Sequence, residues 1–163
     1  MTALTVWKFN TAEGADQALA KLESLVKQHL IEVQDAAVVS WPAGKKKPKT
    51  KQAANLAGAG AMQGAFWGML FGLLFFIPLF GLAIGAAMGA LAGHFADYGI
   101  DDNFIKEVQG KVTEGTSALF LMTGEVTVDK VEDAFKGTEM DLIQSNLSKE
   151  QEDTLREHFG HEE

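Results

Sequence analysis

The run AANLAGAGAMQGAFWGMLFGLLFFIPLFGLAIGAAMGALAGHFA, residues 53–96, contains no Asp, Glu, Lys or Arg. Glycine recurs along it at every fourth position: Gly60, Gly64, Gly68 and Gly72, then, beyond Pro78, Gly81, Gly85, Gly89 and Gly93. A spacing of four places each set on one face of a helix. Small residues on such a face let a second backbone approach closely, the basis of helix association through Gly-x-x-x-Gly. If the chain bends at Pro78, Gly72 comes level with Gly85, Gly68 with Gly89 and Gly64 with Gly93. The spacing therefore predicts a helical hairpin over 53–97. Its seam is lined by glycine, and its bulky residues, Trp67, Leu70 and Leu74 among them, point away from that seam.

Each arm of such a hairpin has roughly 17 residues, or about 25 Å of helix, close to the lower limit for crossing a bilayer. Lys45, Lys46, Lys47, Lys49 and Lys51 directly precede it, across a stretch opened by Pro42-Ala43-Gly44. Basic residues beside a span stay on the cytoplasmic side and attract anionic headgroups. Residues 45–52 are thus expected to be a basic linker at the membrane surface, with the hairpin in the bacterial inner membrane and both termini cytoplasmic. The competing expectation is a solvated linker and a hairpin buried inside a soluble oligomer. Trp41 suits either a membrane interface or the end of a core strand.

Upstream, Ala3 to Phe9 is rich in strand formers. Asn10 and Glu13 have the spacing of a capping box, and Ala15, Ala18, Leu19, Leu22, Leu25 and Val26 follow at helical period. The stretch Glu32 to Trp41 reads as a second strand. Downstream, Phe104, Ile105, Val108 and Val112 mark a short amphipathic helix. Thr116 to Thr123 reads as a central strand. Val128, Val131, Ala134 and Phe135 form the apolar stripe of another helix, ended by Gly137. Thr138 to Ile143 reads as a short strand, and Ser148 with Gln151 as a second capping box opening a polar terminal helix. Two β-α-β units in this order predict an α+β, ferredoxin-like head formed by residues 1–44 and 98–163, interrupted by the hairpin.

The segments Ser117-Ala118-Leu119-Phe120-Leu121-Met122, Asp129-Lys130-Val131 and Asp141-Leu142-Ile143-Gln144-Ser145-Asn146-Leu147-Ser148-Lys149-Glu150-Gln151-Glu152, with the glycine-repeat hairpin upstream, resemble a bacterial domain-of-unknown-function family, number twelve-sixty-nine. The resemblance covers nearly the whole chain. It implies a membrane-associated bacterial protein and carries no activity, substrate or catalytic residue.

Composition narrows the function. A formal net charge of −8 disfavours general nucleic-acid binding, and the absence of cysteine removes disulfides and thiolate chemistry. His158 and His161 could offer two metal ligands but have no third beside them. His94 could sense pH from the base of the second arm. The segment Gly58 to Gly64 lacks the Lys-Ser/Thr of a phosphate loop, and there is no Gly-x-Ser-x-Gly turn. No enzyme, cofactor or metal is implied. The expected function is a membrane-anchored homo-oligomeric scaffold assembled through glycine-zipper hairpins, with a lipid bilayer and further copies of itself as partners. The alternative is a soluble oligomer or ligand-binding module whose hairpins share an apolar core. A pore ranks below both.

Overall fold

A computed structural model describes residues 2–52, 67, 70–76, 99–100, 102–151 and 153. Their order is β1 (Thr2–Phe9), α1 (Gly14–Lys27), β2 (Asp35–Trp41), β3 (Lys49–Gln52), a π-helical segment (Gly72–Phe76), α2 (Asp102–Lys111), β4 (Thr116–Gly124), α3 (Glu125–Ala134) and β5 (Met140–Leu147). The five strands form one sheet in the order β3-β2-β4-β1-β5, and every pairing is antiparallel. The fold is therefore mixed α+β around a five-stranded antiparallel sheet.

Strand alternation sends successive side chains to opposite faces. Trp7 and Phe9 of β1, Ala36 and Val38 of β2, and Leu119 and Leu121 of β4 lie on one face. There they meet Ala15, Ala18, Leu19 and Leu22 of α1 and Val128 and Val131 of α3. The other face carries Leu4 and Val6, Ala37 and Val39, Ala118, Phe120 and Met122, and Ile143 and Leu147. It is covered by Phe104, Ile105 and Val108 of α2 and by Trp67, Leu70, Phe71, Leu74 and Phe75. Both faces are thus dry, and β4, the longest strand, runs through the middle of each layer.

This second layer corrects the membrane reading. Among the described residues, no helix is long and apolar enough to cross a membrane. Trp67, Leu70, Phe71, Leu74 and Phe75, in the described part of the first arm, are buried against the protein's own sheet, with exposures of 0–4%. The physical reason lies in their spacing. Positions 67, 70, 71, 74 and 75 follow the i, i+3, i+4, i+7, i+8 pattern of a helix that buries one stripe against a core. The transmembrane span, and the inner-membrane location with both termini cytoplasmic that depended on it, do not stand.

The basic stretch 45–52 also differs from its reading as a linker. Gly44, at a φ of +84°, turns the chain, the Trp41 indole donates to the Lys45 carbonyl at 2.9 Å, and Lys49–Gln52 returns along β2 as an edge strand. The capping box at Asn10 does not form. Helix α1 starts at Gly14 without a side-chain cap, while Asn10 accepts from Lys8 at 2.8 Å and donates to Glu139 at 3.2 Å. The box at Ser148 does form: the Ser148 N–H donates to Gln151 Oε1 at 2.9 Å, and the Gln151 N–H to Ser148 Oγ at 3.1 Å. Strand β5 extends to Leu147, beyond the Ile143 expected.

Candidate functional site

Two places in the described structure gather polar groups around aromatic rings. The first fixes the apolar segment to the sheet. Asp35 opens β2 and is fully buried. One of its carboxyl oxygens accepts the Ala36 N–H at 2.9 Å, and the other accepts the Trp67 indole N–H at 2.9 Å. A buried carboxyl group is tolerated only when its oxygens are hydrogen-bonded, and here that requirement selects the position of Trp67. From Trp67 the aromatic contacts continue: stacked on Phe71 at 5.6 Å, with Phe71 edge-on to Phe120 at 5.1 Å and Phe75 edge-on to Trp41 at 6.1 Å. Edge-to-face pairs of this kind add about 0.5–1.5 kcal/mol each beyond their burial. From the far side, the Gln109 side chain of α2 donates to the Leu74 carbonyl at 3.3 Å. That bond serves a backbone group within the π-helical segment, where the ordinary α-helical ladder is interrupted.

The second place is a cleft of about 340 Å³ between α1 and the loop that joins α3 to β5. Gly14, Gln17, Ala18 and Lys21 form its helical wall, being spaced to share one face of α1. Gly14 is required there, because a Cβ would lie 2.5 Å from Phe9 Cβ. The floor is a right-angled corner of two rings, Phe9 and Phe135, with centroids 5.8 Å apart and planes at 89°. Lys21 donates to the Ala134 carbonyl at the end of α3 and sits 5.8 Å from the Phe135 ring centre, within cation–π range. Glu139 stands in the lining beside Asn10, Thr11 and Thr138.

The sequence-predicted positions fall differently. Gly72 begins the π-helical segment, and among the described residues nothing lies within 4 Å of where its Cβ would be. Gly60, Gly64, Gly68, Gly81, Gly85, Gly89, Gly93, Pro78, His94, His158 and His161 lie outside the described residues. Lys45, Lys46 and Lys47 are exposed in the β2–β3 connection; Lys49 and Lys51 are exposed on β3, where Lys51 pairs with Asp16 of α1 at 3.6 Å. Among the described residues no group of acidic, histidine or cysteine side chains could hold a metal ion.

Sequence reasoning missed Asp35 and both walls of the cleft. Asp35 carried a usable signal, since it is the only charged residue within the strand Asp35–Trp41. The cleft carried little, because its two walls are far apart in the chain.

Residues 61–160 match the family described as Protein of unknown function (DUF1269), and the chain belongs to that family. No curated protein and no solved structure matches it. The family description names no activity, so the functional reading rests on the geometry.

Proposed function

We propose that this chain is a homo-oligomeric structural module, without catalytic chemistry and without nucleic acid as a partner. Its apolar segment completes a core within the protein and serves association with further copies. The observation that carries this reading is the direction of the stripe Trp67, Leu70, Phe71, Leu74 and Phe75, which is buried on the sheet through the Asp35–Trp67 hydrogen bond. With that stripe committed inward, Gly72 lies off it, and among the described residues nothing lies within 4 Å of where its Cβ would be. In this proposal the positions Gly60, Gly64, Gly68, Gly72, Gly81, Gly85, Gly89 and Gly93 supply the close-packing contacts between copies, with the hairpin bend at Pro78 setting them in register. We read the head as ferredoxin-like, a reading supported by the placement of β1 between β4 and β5 with β2 flanking β4.

Light scattering on the full-length protein, purified in detergent-free buffer, tests the proposal. The expected result is a monodisperse species at an integer multiple, greater than one, of 17.6 kDa. Replacing Gly68 and Gly89 together with Leu should lower that mass. A wild-type monomer, recovery only in detergent, or an unchanged mass in the double variant would each overturn the reading.

A further inference from the structure

We infer that the cleft between α1 and the α3–β5 loop is a binding site for a small zwitterion with an apolar side chain, an α-amino acid of the phenylalanine or leucine class. This inference is independent of assembly, because every lining residue is a described residue of one chain, on the sheet face opposite Trp67, Leu70, Phe71, Leu74 and Phe75.

Three features define the ligand. Size comes first. A volume of about 340 Å³ lies at the lower end of the range for ligand pockets, which suits a ligand the size of a single amino acid. The floor comes second. Phe9 and Phe135 are buried, yet both line the cleft. Their perpendicular rings leave an apolar corner that accepts a flat or branched side chain, and the small residues Gly14 and Ala18 keep the facing helical wall open. Charge comes third. One cation, Lys21, and one anion, Glu139, line the same cleft, and the hydrogen bond that each makes leaves capacity for a ligand. The Lys21 ammonium carries three protons, one of which goes to the Ala134 carbonyl; that bond and the Phe135 ring hold it at the rim. Glu139 has one oxygen accepting from Asn10, whose own carbonyl oxygen is held by Lys8. The carboxylate of the ligand goes to Lys21, its ammonium to Glu139, and its side chain to the Phe9–Phe135 corner. A purely anionic ligand would face the Glu139 carboxylate as well as the net charge of −8, and a purely cationic one would face Lys21.

The test is calorimetric titration of the full chain with three probes: L-phenylalanine, L-phenylalaninamide, which lacks the carboxylate, and 3-phenylpropanoate, which lacks the ammonium. L-phenylalanine should bind saturably, and each truncated probe at least about tenfold more weakly, the loss of one charge-assisted contact. Lys21→Met should erase the preference for L-phenylalanine over the amide. Glu139→Gln should erase the preference over 3-phenylpropanoate. Each variant should leave the other preference in place. Circular dichroism confirms folding, and Lys21→Arg should restore the carboxylate preference. The proposal is overturned by absence of L-phenylalanine binding at millimolar concentration, by equal binding of the three probes to the wild type, or by unchanged preferences in both folded variants. Because it reads ligand preference rather than mass, its failure would leave the oligomer proposal standing, and the reverse also holds.

Discussion

The two faces of the sheet are equally dry but are covered by different means. On one face, α1 and α3 are regular amphipathic helices whose buried residues are mostly aliphatic, with Phe135 wedged at the end against Trp7 and Phe9. On the other face, α2 shares the cover with the aromatic segment around Phe71, which is partly π-helical and is fixed by one buried carboxyl group. The first face illustrates ordinary helix-on-sheet packing, where no single polar contact decides the arrangement. The second shows that a segment apolar enough to resemble a membrane span can be claimed by a sheet when one stripe of its large residues packs there and a polar anchor fixes its rotation.

This contrast is open to direct attack by urea denaturation. The largest effect is expected for Trp67→Ala, about 3–5 kcal/mol, because it leaves a large cavity and removes one hydrogen-bond donor to a buried carboxyl group. Leu22→Ala on the opposite face, also fully buried, should cost about 2–5 kcal/mol. A negligible change for Trp67→Ala beside a normal one for Leu22→Ala would mean that only the helical face is core. Next comes Asp35→Ala, expected to cost about 1–3 kcal/mol by leaving the Trp67 and Ala36 N–H groups without this acceptor. Adding Trp67→Phe, which removes the indole donor, should recover part of that loss; full additivity of the two changes would break the link between them. Ser148→Ala, which removes half of the capping box that follows β5, should cost about 1 kcal/mol. Smallest is Lys51→Ala: its ion pair with Asp16 is exposed on both sides, so the change should stay below about 0.5 kcal/mol and vanish in high salt.

The helical face was legible because its elements obey the simple periods. Alternation placed β1, β2 and β4 within a few residues, and Val128, Val131 and Phe135 named the buried stripe of α3. The other face was harder to read for a particular reason. In residues 53–96 two periodicities overlap, glycine every fourth residue and bulk at 67, 70, 71, 74 and 75. Phe66, Met69, Leu73 and Phe76 put further bulk off that stripe, so the sequence reads as apolar all round, which suits a buried helix and a membrane span alike. Strand β3 was illegible for the opposite reason. Lys49, Thr50 and Lys51 are all exposed, so its place depends on backbone pairing with β2 and on the turn at Gly44. The cleft joins Lys21 to Phe135 and Glu139, and nothing local to either segment announces the other. The unformed box at Asn10 has a related cause, since Asn10 is engaged with Lys8 and Glu139 across the end of the sheet.

The lysine-bearing strand β3 also governs how the sheet can grow. It occupies one margin, and the like charges of Lys49 and Lys51 repel a second copy of the same strand laid alongside. Twofold pairing of two β3 strands, the contact that would set these lysines against one another, is thereby disfavoured.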